Sequence, residues 1–182
     1  MRLPALLLIA CLSAPAFAQS PVSGAPSGAA SPGYSPMADV RANWHAMSEY
    51  ILQSALDAPE SVYGYKPTPA VRSFGELIGH VAGAQAMFCA LALGEPAPRE
   101  DAVTAATKTQ LVAALRASNS VCDRAYAQAD AAGGATLDLF GTRRTRFYTL
   151  VENATHDAEH YGNLVTYLRM NGMVPPSSKP AR

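Results

Sequence analysis

His156-Asp157-Ala158-Glu159-His160-Tyr161-Gly162-Asn163 lies in the last long periodic segment of the chain, roughly Arg143 to Asn171. Two histidines four residues apart on an α-helix stand about 40° apart around the axis and one turn apart along it. Both imidazoles therefore reach toward one point, which is why transition-metal sites use this spacing. A third histidine, His80, stands in an earlier helical segment beside Gly79, Gly83 and Ala84. These small residues suit either close helix packing or room for an ion and its water. Three imidazoles around one ion leave a fourth tetrahedral position open, the arrangement of a catalytic rather than a closed structural zinc site.

At about 100° per residue, Thr149, Glu152, His156, His160, Asn163 and Tyr167 share one polar face of the last helix. Phe147, Val151, Ala154, Ala158, Tyr161, Val165 and Leu168 share the opposite, apolar face. Two arrangements satisfy this pattern. The histidine face lines a polar cleft while the apolar face packs on a second neighbour, or both histidines are surface residues. The chain has 4 histidines, and three fall in these two places. The fourth, His45, lies off the apolar stripe of its helix and reads as a flanking residue. His80 meets the pair only if its helix is a neighbour at matched height.

Glu152, one turn before His156, and Glu76, one turn before His80, are the carboxylates in position to orient a ligand, bind the metal or act as general base. Each also has a plainer reading: Glu76 belongs to a capping box, and Glu152 can sit in solvent. Cys89 is about 180° around the axis from His80 and roughly 13 Å along it, so it cannot share that ion.

The rest of the sequence supplies the frame. Asp39 to Leu56 reads as a first helix, with Asp39 as N-cap and Val40, Trp44, Met47 and Ile51 as its stripe. Prolines and Gly64 make Ala58 to Val71 a loop. Ser73-Phe74-Gly75-Glu76 opens a second helix by its capping box, and Gly94 with Pro96 ends it. Thr107-Lys108-Thr109-Gln110 opens a third, to about Ala131. Leu137 to Phe140 reads as a short extended piece, Thr142 as the cap of the fourth helix, and Asn171-Gly172 before Pro175-Pro176 as its end. Four amphipathic helices without a strand set predict an all-α four-helix bundle.

Residues 1–18 read as a cleaved signal peptide: Arg2, the apolar run Leu3 to Leu12, then Ala16-Phe17-Ala18. The run is too short for stable membrane insertion. A rival reading is lipoprotein processing at Cys11. Residues 19–37 form a flexible Pro/Ser/Gly-rich leader, 38–177 the bundle and 178–182 a polar tail. The expected location is periplasmic or secreted. There Cys89 and Cys122 pair as a disulfide or remain two small buried residues. The 182 residues carry 14 basic and 14 acidic side chains, so no electrostatic footprint for nucleic acid is present.

Ser73 to Ala82, the block His156 to Arg169, Asn171-Gly172 and Pro175-Pro176 together resemble the DinB-like superfamily over about residues 38–177. The H-x-x-x-H-Y-G block carries most of the specificity. The resemblance implies a four-helix bundle with a metal held by His80, His156 and His160, often zinc or nickel, and often a homodimer. Some relatives are S-transferases or isomerases dependent on a cytosolic thiol. The export signal departs from those, and such thiols are not expected outside a reducing compartment, so that activity is not carried over. Two functions compete: a metal-dependent hydrolase or transferase acting on a small molecule, and a non-catalytic metal-binding or partner-docking bundle.

Overall fold

The computed structural model describes residues 33–101, 103 and 107–180; the signal-peptide reading, the Cys11 alternative and the leader up to residue 32 lie outside them. Four long helices form the bundle: α1 (Pro36–Asp57), α3 (Phe74–Leu93), α4 (Lys108–Tyr126) and α5 (Arg146–Met170). A single helical turn, α2 (Glu60–Tyr63), sits in the first connection. A hairpin of β1 (Thr136–Leu139) and β2 (Thr142–Thr145) precedes α5.

The capping chemistry fixes most ends. Ser73 and Thr107 each form a complete capping box, with Glu76 and Gln110 reaching back. Gly94 and Gly172 take φ of +74° and +70° where the helices α3 and α5 end. At Gly172 the Met173 N–H reaches Leu168 O at 2.9 Å and the Gly172 N–H reaches Arg169 O at 3.0 Å, a Schellman motif.

Three boundaries differ from the sequence reading. Ser35, not Asp39, caps α1: its Oγ accepts from the Ala38 N–H, and Pro36 takes the first turn. Helix α4 stops at Tyr126, and a 3₁₀ turn, Asp130–Gly134, follows. Thr145, not Thr142, caps α5, because Thr142 is spent in a strand. The extended piece at Leu137 is one arm of an antiparallel hairpin pairing Leu139 with Thr142. Phe140 and Gly141 turn it, with φ of +52° and +77°, the left-handed pair that a two-residue turn of this hand requires. The C-terminal segment is tied down as far as Lys179: Tyr161 Oη donates to Ser177 Oγ at 2.7 Å, and Lys179 pairs with Asp57 at 2.5 Å.

Around the bundle the order is α1, α5, α3, α4, so α3 and α5 are neighbours while α1 and α3 face each other across the centre. Of the 20 residues of α3, 15 are buried, which makes it the central rod. It is long and apolar enough to cross a membrane, but 72% of that window is buried inside the bundle, as expected for a core helix. The polar centre is bridged by Gln85, which accepts from Trp44 Nε1 at 2.9 Å and donates to Asn119 at 3.2 Å. Trp44 stacks on Tyr126 at 4.6 Å. Cys89 and Cys122 form a disulfide between α3 and α4, with Cα atoms 5.0 Å apart.

Candidate metal centre

Helix α3 contributes His80 and helix α5 contributes His156 and His160. Their Nε2 atoms form a nearly equilateral triangle with sides of 3.0, 3.1 and 3.0 Å. This triangle cannot be a closed hydrogen-bond ring. A neutral imidazole Nε2 either donates or accepts, never both. Among three such nitrogens at least one side always sets donor against donor or lone pair against lone pair. A cation removes the conflict, because all three lone pairs then point at it. Nitrogens bound to one ion at about 2.0–2.1 Å, at angles between octahedral and tetrahedral, lie roughly 2.9–3.4 Å apart. The observed sides fall in that window, so the residues fit a transition metal.

The environment keeps the His80 and His160 rings neutral. Burial, then the charge of Arg72, then His156 pull His80 down to about 4. His160 is pulled down to about 4 by burial and by the other two histidines. Neutral rings are the form that binds metal.

Each ring's Nδ1 has a different neighbour. His80 Nδ1 faces Glu100 Oε1 at 3.2 Å. His160 Nδ1 faces the Asn163 amide at 3.3 Å. His156 Nδ1 has Asp157 Oδ1 at 3.8 Å, beyond hydrogen-bond reach, and is buried without a partner. Asp157 is fully buried, with neither carboxylate oxygen hydrogen-bonded among the described residues. Burial raises its carboxyl to about 6, against the lowering pull of His156.

The glycines beside His80 settle their own question. They admit the connection between α3 and α4, and at Gly79 helix α4 packs close as well, through Leu111. A Cβ at Gly83 would overlap the Glu100 carbonyl oxygen, and one at Gly79 would lie 2.7 Å from Val103 O. Close approach of that strap is what brings Glu100 to His80.

Glu76 lines the cleft beside His80. Its carboxylate accepts from the Ser73 N–H at 2.6 Å and pairs with Lys66 at 2.9 Å, and the Ser73 bond holds it below the usual carboxylate range. Glu152 is half-buried on α5 and has no hydrogen-bond or ion-pair partner among the described residues. The basic cluster on β2 and at the start of α5 is committed elsewhere. Arg146 donates to Ala92 O and Ala132 O, Arg144 lies over the Tyr148 ring at 4.9 Å, and Arg143 bonds Thr136. It does not supply the cleft with charge.

The polar and apolar faces read from α5 are only partly those observed. The buried stripe runs Leu150, Ala154, Asp157, Tyr161, Leu164, Leu168, with Thr149, Asn153, His160 and Tyr167 beside it; Ala158 is exposed. Asp157 and Glu100 were absent from the sequence-derived site. Asp157 carries a signal, since it occupies a core position in a strict four-three alternation. Glu100 carries none, since it lies in an irregular connection.

Comparison with known proteins agrees with this geometry. A DinB-like protein from Bacillus cereus has the same fold: its crystal structure matches with a TM-score of 0.66 at 15% identity, over 75% of this chain and 93% of that one. No curated protein is significantly similar to the chain. The family model for the DinB superfamily matches residues 37–164. With that match spanning most of its length, the chain belongs to the DinB superfamily.

Proposed function

We propose that this protein is an exported metalloprotein that holds a divalent transition metal, zinc or nickel, on His80, His156 and His160, and that it acts as a metal-dependent hydrolase or transferase on a small molecule. The observation that carries the proposal is the triangle of ring nitrogens, which is frustrated as hydrogen bonding and matched to coordination. When bound, such an ion supplies Lewis acidity toward a carbonyl or phosphoryl oxygen or water. The protein's own groups do the rest. Glu100 orients the His80 ring from behind, and the buried Asp157 carboxylate stands behind His156 as an electrostatic support without a hydrogen bond to it. Glu152, unpaired among the described residues and one turn before His156 on α5, is the proposed proton acceptor, although it lines neither part of the cleft; Glu76, held ionised by Lys66 and Ser73, is the weaker base. A cleft of ≈ 750 Å³ opens on His80, large enough for a small substrate. The Cys89–Cys122 bridge favours an oxidising location, in keeping with export.

The test is elemental analysis of protein purified without an affinity tag. One equivalent of a transition metal is expected, lost in His80→Ala and His160→Ala. Wild-type protein without metal, or variants that keep it, would remove the proposal.

The triangle also joins α3 to α5, which favours a second, purely structural reading. That reading requires chelation to lower the melting temperature. It also requires metal-loaded protein to stay inactive across panels of hydrolase and transferase substrates.

A further inference from the structure

The space beside the triad has two chambers that meet at His80. One, of ≈ 750 Å³, is walled in part by Tyr63, Val71 and Leu111. The other, of ≈ 610 Å³, is walled in part by Met87, Leu91 and Phe140. Arg72, His80 and Asp101 line both. The charges around them are satisfied locally, with one exception. Lys66 pairs with Glu76 at 2.9 Å, and Arg99 grips Asp101 through contacts of 3.0 and 2.9 Å. Glu100 faces His80, and Asp138 accepts from the Gly141 N–H at 3.0 Å. The Arg72 guanidinium has no carboxylate partner among the described residues. Its backbone is fixed, since its carbonyl accepts from Tyr167 Oη at 2.9 Å just before the α3 capping box.

Arg72 is exposed, so solvent meets part of its charge; a cation on the triad would still repel it across the cleft. An anion lying between them turns that repulsion into two attractions. The guanidinium's planar fork matches a carboxylate or phosphate. Beyond that charge the chamber walls are largely apolar.

We propose that Arg72 is an anion anchor: the ligand of this cleft is a small molecule with an apolar body and an oxyanion head, carboxylate or phosphate, seated between Arg72 and the histidine triad. The inference rests on the metal-site reading and names the substrate class for it. It gives Arg72 the role that the Arg143–Arg146 cluster cannot fill.

The test uses metal-loaded protein, with metal content measured first, titrated calorimetrically with benzoate, phenyl phosphate and the neutral isostere benzamide. At least one anion is expected to bind wild type about tenfold or more tightly than benzamide. R72Q should abolish that preference, and R72K should keep part of it, since charge survives and the fork does not. Whichever anion leads identifies the head group. The proposal is overturned if benzamide matches both anions, if neither anion binds, or if R72Q keeps the wild-type preference. Those results leave the metal content untouched and the triad standing. Wild-type protein that takes up no divalent ion removes the triad, and the anchor with it, before any ligand is added.

Discussion

Oδ1 of Asp157 lies 3.8 Å from Nδ1 of His156, and neither atom, both closed to solvent, has a hydrogen-bond partner among the described residues. A buried polar atom left unsatisfied costs about 1–3 kcal/mol, more when it is charged. The fold tolerates that cost beside one of the three rings proposed to hold the metal. A carboxylate behind a ligating histidine fixes its tautomer and strengthens the ring as a donor.

Asp157→Asn separates the two effects, since it keeps the shape and removes the charge. The metal-free variant should gain about 1–3 kcal/mol at pH 7, read by urea denaturation. Its metal affinity should fall about 10- to 100-fold, read by competition with a chelating dye. Unchanged affinity would mean that Asp157 does not support His156.

The metal-free protein should become more stable as pH rises from about 4 to about 6.5. His80 and His160, lowered to about 4 in the folded state, take up protons on unfolding throughout that window. Their contribution is complete above the ordinary histidine value of about 6.5 and lost as pH falls toward 4. Asp157, raised to about 6, acts in the opposite sense, releasing a proton on unfolding between about 4 and 6. Two protons gained against one released leave a positive slope. Thermal melts across pH 4–7 check it; a flat or falling profile contradicts the sign. For the same reason, proton competition at these two rings begins below the pH of about 6.5 expected for ordinary imidazoles.

Two glycine substitutions should have opposite signs. Gly83→Ala drives a methyl into the Glu100 carbonyl, a backbone atom that cannot step aside cheaply. It should cost about 1–3 kcal/mol and weaken metal binding by displacing Glu100 from His80. Gly162→Ala on α5 meets nothing within 4 Å. It should gain roughly 0.5–1 kcal/mol from helix propensity. Denaturation midpoints for the pair decide the matter. A neutral Gly83→Ala would show that the strap is not held against α3.

Replacing Cys89 and Cys122 together by serine should lower stability by roughly 3–4 kcal/mol, the chain-entropy value for a loop of this size. Chemical denaturation of the oxidised protein and the double variant measures it. Labelling of unreduced, unfolded protein should leave both cysteines unmodified.

Much of this was legible in the residues. The capping boxes at Ser73 and Thr107, the left-handed Gly172 and the His156/His160 spacing each depend on contacts within a few positions. Local chemistry decides such features before tertiary packing intervenes. What stayed hidden depends on distant partners. The start of α5 moved because Thr142 found a strand mate in Leu139. Asp39 lost the cap to Ser35, whose hydroxyl and neighbouring Met37 N–H are both held by Asp130, far along the chain. Glu100 reaches His80 only because a loop lies on glycines of another element. Asp157 stood in plain view in the four-three alternation of α5, masked by the usual expectation that core positions are apolar.

Residues 89 to 122 make a covalently closed ring, and Glu100 is carried on it. The carboxylate behind His80 therefore hangs from a macrocycle, not from an open strap. Opening the ring in a reducing solution is expected to loosen that strap before the helices come apart. If the triad holds a metal as proposed, its affinity should thus report the thiol status of the surroundings, slackening before the fold does.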